Sequence, residues 1–220
     1  MEEENEMSPM DMPRPIKLYV VADAHKKAAG ESDDRFFQSL LEEPKPGSSA
    51  GKNMLAIGDI GQVERMSLPA TWQEGQPTPL PASAFFKEYH AGSDADVKLC
   101  FYYRGQRASQ AASAAFRNLL AKPCHVLTPS EIRSVAEIMR NKDDAGEFSM
   151  IAASTQLING RRVLVVEGRF NEKQVDTEAL YADCDGTGAV VQEIYYQAPK
   201  NRYVLHLKEA RDAFKSIVWK

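Results

Sequence analysis

The Asn159-Gly160 pair, set between two apolar runs, restricts the fold of this chain more than any other feature. A two-residue hairpin of type I′ needs positive φ at both central positions, and Asn-Gly meets this requirement at low steric cost. The sequence therefore predicts a strand over residues 148–157, a tight turn, and a returning strand over residues 162–168.

A second hairpin is predicted over residues 177–182 and 189–196, closed around Asp185-Gly186-Thr187-Gly188. After Pro199 the apolar residues recur at helical spacing, and the helix is predicted to run to the C-terminus. The predicted fold class is α/β of the α+β type, an antiparallel meander sheet with helices packed on it. The apolar stripe of the last helix consists of Tyr203, Leu207, Ala210, Phe214 and Ile217.

Further elements are predicted between residues 54 and 148. Strands are expected over residues 54–57, 61–68 and 97–103, and a short helix over residues 82–89. Ser109 fits the N-cap of a helix that ends at Leu120. Thr128-Pro129-Ser130-Glu131 matches a capping box with proline at the first helical position. The helix that it starts carries Ile132, Val135, Ala136 and Met139 on one face.

Composition divides the chain into an arm and a domain. Residues 1–50 hold 11 acids and 6 bases, whereas the remainder holds 20 acids and 21 bases. The sequence predicts an acidic, partly flexible N-terminal arm over residues 1–53 and a single α/β domain over residues 54–220. Phe36 and Phe37 are out of place in a purely solvated arm. This segment is predicted to dock on the domain or on a partner, with a peripheral edge strand and helix as the alternative.

The near-neutral domain argues against several classes of function. Nucleic acid is not expected as a ligand, because phosphate neutralisation dominates that affinity and no basic face is apparent. No apolar run approaches the roughly 18 residues of a membrane span, and the acidic N-terminus is unlike a signal peptide. The chain is therefore expected in the cytoplasm. The odd number of cysteines favours reduced thiols over a disulfide frame; they are Cys100, Cys124 and Cys184.

Neither a metal site nor a cofactor site is predicted. The segment that begins at Asp183 resembles a calcium loop, but such a loop needs a carboxylate near its twelfth position, where this chain has Ile194. A hairpin turn explains the segment better. The scattered histidines form no pair at zinc-binding spacing, and no catalytic residue is assigned either. The histidines are His25, His90, His125 and His206.

A small enzyme is the alternative from another functional class. Glu167, Glu178 and Glu193 lie on predicted strands, where a carboxylate pair could line a groove as in glycoside hydrolysis. A nucleophilic pair of Cys184 with a distant histidine is a further alternative. Alternation places polar residues on the solvent face of a sheet in any case, so a solvated face explains the glutamates more simply.

The exposed face of the predicted meander has the composition of a protein-binding surface. Arginine and tyrosine are enriched among the residues that dominate binding energy at interfaces. One helix is assigned to one face of the sheet, so the other face is expected to be covered by the mid-chain helices or by a partner. The candidate partner-binding residues are Arg161, Arg162, Arg169, Gln192, Tyr195 and Tyr196 of the sheet, with Phe36 and Phe37 of the arm.

Two motifs at opposite ends of the domain carry a family resemblance. A strand leads into Leu68-Pro69-Ala70-Thr71-Trp72, and the closing helix ends in Ser216-Ile217-Val218-Trp219. With the order of elements between them, they make residues 54–220 similar to the PsbP/Mog-type α/β fold, whose bacterial relatives include small effector chaperones and lipoproteins. Proteins with this fold mostly bind other proteins and lack a shared active site. The resemblance therefore implies a docking or chaperone-like role.

The sequence thus favours a non-enzymatic, cytoplasmic, bacterial protein that binds another protein. It fits a chaperone or adaptor for a secreted effector of a secretion system, and equally an immunity protein that neutralises a toxin. In the second version the acidic arm could cover a basic site. Association of two copies of the chain as a homodimer is a further alternative. The alternative is a small hydrolase-like enzyme that uses Cys or carboxylate residues in a groove between sheet and helices.

Overall fold

A computed structural model describes residues 53–81, 83–92, 94–139 and 148–220, which form ten strands and four helices. The strands are β1 (Met54–Ile60), β2 (Val63–Pro69), β3 (Trp72–Glu74), β4 (Phe85–Ala91), β5 (Asp94–Tyr103), β6 (Phe148–Ile158), β7 (Arg161–Phe170), β8 (Val175–Asp183), β9 (Val191–Pro199) and β10 (Val218–Trp219). The helices are α1 (Gln110–Ala121), α2 (Pro129–Ser134), α3 (Ala136–Met139) and α4 (Lys200–Lys215).

The Asn159-Gly160 turn forms as predicted. Asn159 has a φ of 45° and Gly160 a φ of 84°, both in the left-handed region that a type I′ turn requires. β6 and β7 pair in antiparallel register on either side of the turn. The second predicted hairpin is also confirmed, since β8 and β9 pair antiparallel and Gly186 and Gly188 between them have positive φ.

The two hairpins belong to a seven-stranded antiparallel sheet with the strand order β3-β4-β5-β9-β8-β7-β6. A smaller sheet of three strands has the order β1-β2-β10, and its strands pair antiparallel as well. The predicted fold class, an antiparallel meander with helices packed on it, is therefore confirmed. The separate small sheet is not foreseen from the sequence.

The large sheet buries a core on each of its faces. One face, called here the α4 face, packs against α4 and the small sheet through residues such as Trp72, Phe101 and Phe214. The other, called the α1 face, packs against α1, α2 and α3 through residues such as Phe116 and Ile138. Because side chains alternate along a strand, neighbouring residues of the central strands contribute to different cores.

The apolar stripe of α4 lies against the large sheet as predicted. Tyr203, Ala210 and Phe214 are at most 4% exposed, and Ile217 is fully buried just beyond the end of the helix. Full burial of one large apolar side chain stabilises a fold by about 1.5–3 kcal/mol. The stripe therefore supplies much of the free energy that holds α4 on the sheet.

The helix predicted over residues 82–89 is wrong. The chain forms β4 there, antiparallel to β5, with Tyr89 opposite Leu99. Tyr89 and Ala91 are buried while His90 between them is only half-buried, which is the alternation of a strand. β3 pairs with the other side of β4, so tertiary backbone hydrogen bonds override the local preference.

The prediction that the last helix runs to the C-terminus is also wrong. α4 ends at Lys215, and Val218–Trp219 form β10 beside β2. The Ser216 hydroxyl accepts a hydrogen bond from the Ser67 backbone N–H at 2.9 Å, which ties the end of α4 to β2. The Trp219 indole N–H donates to the Ile158 carbonyl at 2.7 Å.

Both mid-chain helices begin where the sequence predicts, but the second is shorter than predicted. Ser109 caps α1, and Thr128 and Glu131 form the capping box of α2. The helix predicted after Thr128 is interrupted at Val135, whose φ of −108° and ψ of 13° separate α2 from α3. Within the described ranges, no helix combines the length and the apolar character that crossing a membrane requires.

Several predictions concern residues 1–52, which lie outside the described residues. They are the acidic arm with the docking role of Phe36 and Phe37, a short strand that the sequence predicts over residues 16–21, and a helical turn that it predicts over residues 34–41. The boundary between arm and domain at residue 53 therefore stays a prediction.

Candidate functional site

The six partner-binding residues predicted on the sheet do not share one exposed surface. Gln192 is 2% exposed and Tyr196 is fully buried, so the prediction that they face a partner is wrong. Gln192 bridges the two sheets, since its side-chain N–H donates to the Ile60 carbonyl and its side-chain oxygen accepts from the Gln62 backbone N–H. The Tyr196 hydroxyl donates to the Tyr203 carbonyl at 2.8 Å beneath α4.

The other four predicted residues lie on opposite faces of the large sheet. Arg161 and Arg169 are an even number of residues from the two buried valines of β7 that belong to the core of the α4 face, so they point to that face. Arg162 is one residue from Arg161 and therefore points to the α1 face, and Tyr195 packs against the core of that same face. Arg161 is turned towards the small sheet, where its guanidinium lies 5.1 Å from the centre of the Trp219 ring. The partner-binding role of these four residues stays a prediction.

Arg169 belongs to a group of charged residues on the α4 face, called here the charged ladder. In the register of β7 and β8, Glu167 lies opposite Glu178 and Arg169 lies opposite Asp176. Arg169 donates two hydrogen bonds to the Asp176 carboxylate. Two carboxylates opposite each other destabilise a sheet unless a cation compensates them. Arg211 of α4 is that cation and completes the ladder.

Arg211 pairs closely with one glutamate and loosely with the other. Its guanidinium donates twice to one Glu178 oxygen, at 2.8 Å and 2.6 Å, and lies 3.6 Å from Glu167. Glu167 also accepts a long hydrogen bond of 3.5 Å from the Tyr203 hydroxyl. Burial, followed by the charge of Glu178, raises the pKa of Glu167 above its ordinary value.

The charged ladder brings together two of the three glutamates considered from the sequence. Glu167 and Glu178 are cross-strand neighbours, whereas Glu193 points to the α1 face. A carboxyl of raised pKa beside a charge-paired carboxylate is the pattern of a general acid and its ionised partner. Sequence reasoning missed Arg211, and the available signal was a charged residue directly after Ala210 at the border of the apolar stripe.

Two of the three cysteines are poor nucleophiles where the structure places them. Burial raises the pKa of the fully buried Cys100 thiol far above its ordinary value. Burial also raises the pKa of the Cys184 thiol to about 11. Because the thiolate is the reactive form, neither side chain is activated at neutral pH.

The segment that resembles a calcium loop is a hairpin turn, as predicted. The Asp183 carboxylate accepts a hydrogen bond from the Gly188 N–H at 3.0 Å, and Asp185 pairs with Arg107 at 3.1 Å. The aspartates thus close the turn on itself and on the chain beside it. Across the described part of the chain, no three His, Cys, Asp or Glu side chains are grouped so as to hold a metal ion.

β6 forms one edge of the large sheet, and its outward backbone is a candidate for binding another chain. It is 11 residues long, and none of its residues is charged. Natural proteins usually protect an edge strand with charges, proline, short length or a cover, because its unpaired backbone groups can bind another chain. β3 at the opposite edge follows this rule, with three residues that include Glu74.

Within the described part of the chain, residues 125–127, called here the cover, bond to the middle of the β6 edge and to no other part of it. The Thr155 N–H donates to the His125 carbonyl, and the Leu127 N–H donates to the Ala153 carbonyl, each at 2.9 Å. Backbone groups two residues apart on a strand point the same way. The N–H and C=O of Leu157 therefore also point away from β7, beyond the end of this cover.

Apolar side chains accompany the open backbone. Val126 of the cover and Ile151 and Leu157 of β6 are 64%, 54% and 56% exposed. Leu157 lies opposite Arg162, which donates to the Leu120 carbonyl of α1 at 3.0 Å. We call these three apolar residues and the outward backbone of β6 the edge site. Sequence reasoning missed it, although the absence of charge from residues 148–158 was visible.

No protein-family model matches this sequence, and no curated protein matches it. Among solved structures, the chain is similar to the solution structure of cyanobacterial PsbP (CyanoP) from Synechocystis sp. PCC 6803, with a TM-score of 0.47 and 10% sequence identity. The match covers 80% of this chain and 98% of that chain. The likeness is to a structure of the fold type that the sequence resembles, and it concerns the arrangement of elements alone.

Proposed function

We propose that this chain is a non-enzymatic, protein-binding protein that takes up an extended segment of its partner along the edge site. One observation carries the proposal: β6 is a long, uncharged edge strand, and among the described residues only the segment bonded around Ser154 covers its outward backbone. An added strand would gain main-chain hydrogen bonds from β6 and side-chain contacts from Leu157 and Ile151.

The apolar contacts and the backbone contacts support each other at this site. Large aliphatic residues scattered singly on a surface need no explanation, whereas these three all lie along one sheet edge, where exposed apolar side chains add contacts for an incoming strand. The backbone N–H and C=O of Leu157 would give affinity whatever the sequence of the partner. The exposed side chains around the strand would determine which sequences bind.

The biological versions expected from the sequence remain part of this proposal. A partner that is a secreted effector would make the chain a chaperone or adaptor, and a partner that is a toxin would make it an immunity protein. A second copy of the chain bound through the same edge would make it a homodimer. The cytoplasm is the proposed location for each version.

A charged substitution at the edge tests the proposal. In Leu157→Lys, a lysine replaces an exposed leucine of β6, and charges on an edge strand oppose strand addition. Leu205→Lys is the matched control, because Leu205 is exposed to 73% on the outer face of α4. We expect wild-type protein and the Leu205→Lys variant to capture the same stoichiometric partner, and Leu157→Lys to lose it.

Two results would contradict the proposal. In the first, the Leu205→Lys variant loses the partner while Leu157→Lys keeps it, which places the binding surface on α4. In the second, wild-type bait captures no stoichiometric partner from the native source and shows no self-association by light scattering. Circular dichroism of each variant checks that the fold is retained.

A hydrolase-like enzyme is the second candidate, and the Glu167–Glu178 pair is the observation that favours it. The two carboxyls share one face of the sheet and have different surroundings, as acid and ionised partner do in glycoside hydrolysis. Glu167→Gln keeps the shape of the side chain and removes its proton chemistry. Loss of a hydrolytic activity in this variant, with partner capture unchanged, would favour the enzyme over the binding protein.

A further inference from the structure

Glu193 is a buried carboxyl on the α1 face that the proposed function does not use. It is 7% exposed and lies on β9 between two strands, opposite Tyr102 of β5 and Tyr181 of β8. An ionised carboxylate in such a place is costly unless donors surround it. The charge of Glu193 therefore depends on the balance between its burial and the donors around it.

One donor, the Tyr181 hydroxyl, is shared between Glu193 and the end of α3, and the Arg104 guanidinium binds the same helix. The Tyr181 hydroxyl lies 3.1 Å from a Glu193 carboxyl oxygen and 3.5 Å from the Met139 carbonyl. The Arg104 guanidinium donates to the Ile138 carbonyl at 2.9 Å and to the Glu137 carbonyl at 3.3 Å. The last carbonyls of a helix have no partner within the helix, so these donors fasten α3 to the sheet.

The positive charge of Arg104 also acts on Glu193. Burial raises the pKa of Glu193 to about 7, while the Tyr181 hydrogen bond and the Arg104 charge act in the opposite direction. Glu193 thus changes charge near neutral pH. The titratable and charged groups that face the same side from the elements around it include Glu88 of β4, Lys98, Cys100 and Tyr102 of β5, Arg104, Glu137 of α3, Tyr181 of β8 and Tyr195 of β9.

We propose that Glu193 is a proton-controlled latch for α3. With Glu193 neutral, Arg104 and Tyr181 donate to the carbonyls of α3 and hold it on the sheet. With Glu193 ionised, the carboxylate is the stronger acceptor and draws both donors away, because hydrogen bonds to a charged acceptor are roughly twice as strong as those to a neutral one. α3 is then released.

Release of α3 has a defined consequence at the surface. Ile138 is 1% exposed and packs in the core of the α1 face, so its departure would uncover apolar surface. A polar crevice already lies at this point, lined by Arg104, Gln106, Glu137, Ile138 and Val191. The latch goes beyond the proposed binding function and involves none of the residues of the edge site.

Amide hydrogen exchange of the full chain tests the latch. The backbone N–H groups of Ile138 and Met139 donate to the Val135 carbonyl, at 3.0 Å and 3.2 Å, and report whether α3 is in place. We expect their protection factors to fall between about pH 5.5 and about pH 8.5, by about tenfold for each unit by which the pKa of Glu193 differs between the latched and released states. Amides of β8 serve as the reference for global opening.

Glu193→Gln is the matched variant, since glutamine stays neutral and still accepts a hydrogen bond from Tyr181. We expect protection at Ile138 and Met139 in this variant to stay constant across the same pH range. A constant wild-type value would overturn the latch, and so would an unchanged pH dependence in the variant.

A second measurement keeps the test decisive if the variant fails to fold. The ¹³C resonance of the Glu193 carboxyl, followed by NMR in the wild-type chain, gives the midpoint of its titration directly. The amide resonances of α3 must change with the same midpoint if Glu193 controls the helix. Different midpoints would overturn the proposal.

Discussion

Arg211 on α4 donates two hydrogen bonds to a single carboxylate oxygen of Glu178 on β8. Both side chains are nearly buried, so this contact is a desolvated ion pair between the helix and the sheet. Removing one member of such a pair leaves the other charge without compensation, at a cost of about 3–5 kcal/mol. The pair is therefore expected to be one of the more sensitive points of the fold.

The first prediction concerns this pair. Arg211→Met is expected to lower the free energy of unfolding by about 3 kcal/mol, measured by urea denaturation. The double variant Arg211→Met/Glu178→Leu is expected to recover part of this loss, because it buries no uncompensated Glu178 charge.

Lys208→Met on the same helix is the control for Arg211→Met. Lys208 pairs with Asp212 at 2.6 Å on the exposed side of α4. Its replacement is expected to cost less than about 0.5 kcal/mol, as for other exposed helix pairs. Equal losses for the two variants would show that the buried pair does not fix α4.

The second prediction is a pH dependence of stability. Because the folded-state pKa of Glu167 is raised above its ordinary value of 4.5, the folded chain holds this proton more tightly than the unfolded chain. Stability from this group is then present at low pH and decreases as the pH rises from about 4.5 through the folded-state pKa. Glu167→Gln is expected to flatten that part of the profile of unfolding free energy against pH. If the Glu167→Gln profile is as steep as that of the wild type, Glu167 is not the source of this pH dependence.

The third prediction tests which backbone groups of β6 are free. The N–H of Leu157 points outward, so Leu157→Pro removes no hydrogen bond of the β6–β7 ladder, and proline is tolerated at such edge positions. The N–H of Gln156 points towards β7, opposite Val163, so Gln156→Pro is expected to be less stable than Leu157→Pro by at least about 2 kcal/mol. Thermal unfolding compares the two variants, and the reverse order would show that the outward register is wrong.

The fourth prediction concerns the β6–β7 turn. Gly160 has a φ of 84°, and a Cβ added there meets no atom within 4 Å, so any cost of Gly160→Ala comes from the backbone conformation. That cost is expected to be about 1–2 kcal/mol in unfolding free energy. Gly160→Asn is the comparison, because asparagine tolerates the left-handed region better, and it should lie between the wild type and the alanine variant. An alanine variant as stable as the wild type would contradict this account.

The hairpins and the capped helices were predictable because local chemistry dictates them. Asn159-Gly160 and the Thr128–Glu131 capping box each fit one backbone geometry, and the structure has that geometry at both places. β4 was not predictable in this way, because a strand between β3 and β5 receives its hydrogen bonds from residues far along the chain.

The candidate site could be predicted only in part. Adjacent residues of a strand point to opposite faces, so Tyr195 and Tyr196 could not both have faced one partner, and this much was readable from the sequence. The meeting of Glu167 with Glu178 depends on the register of β7 and β8, and the position of Arg211 depends on how α4 crosses them. Neither is encoded in a local pattern.

The small sheet has a consequence for the order of events in folding. Its central strand β2 pairs with β10, so Arg65 meets Val218 across nearly the whole described chain. Pairing of such distant residues has a large entropic cost of loop closure. That cost falls once the intervening hairpins have formed and brought the two strands near each other. We expect β10 to dock last, which makes its arrival a kinetic marker that the rest of the molecule has reached its native arrangement.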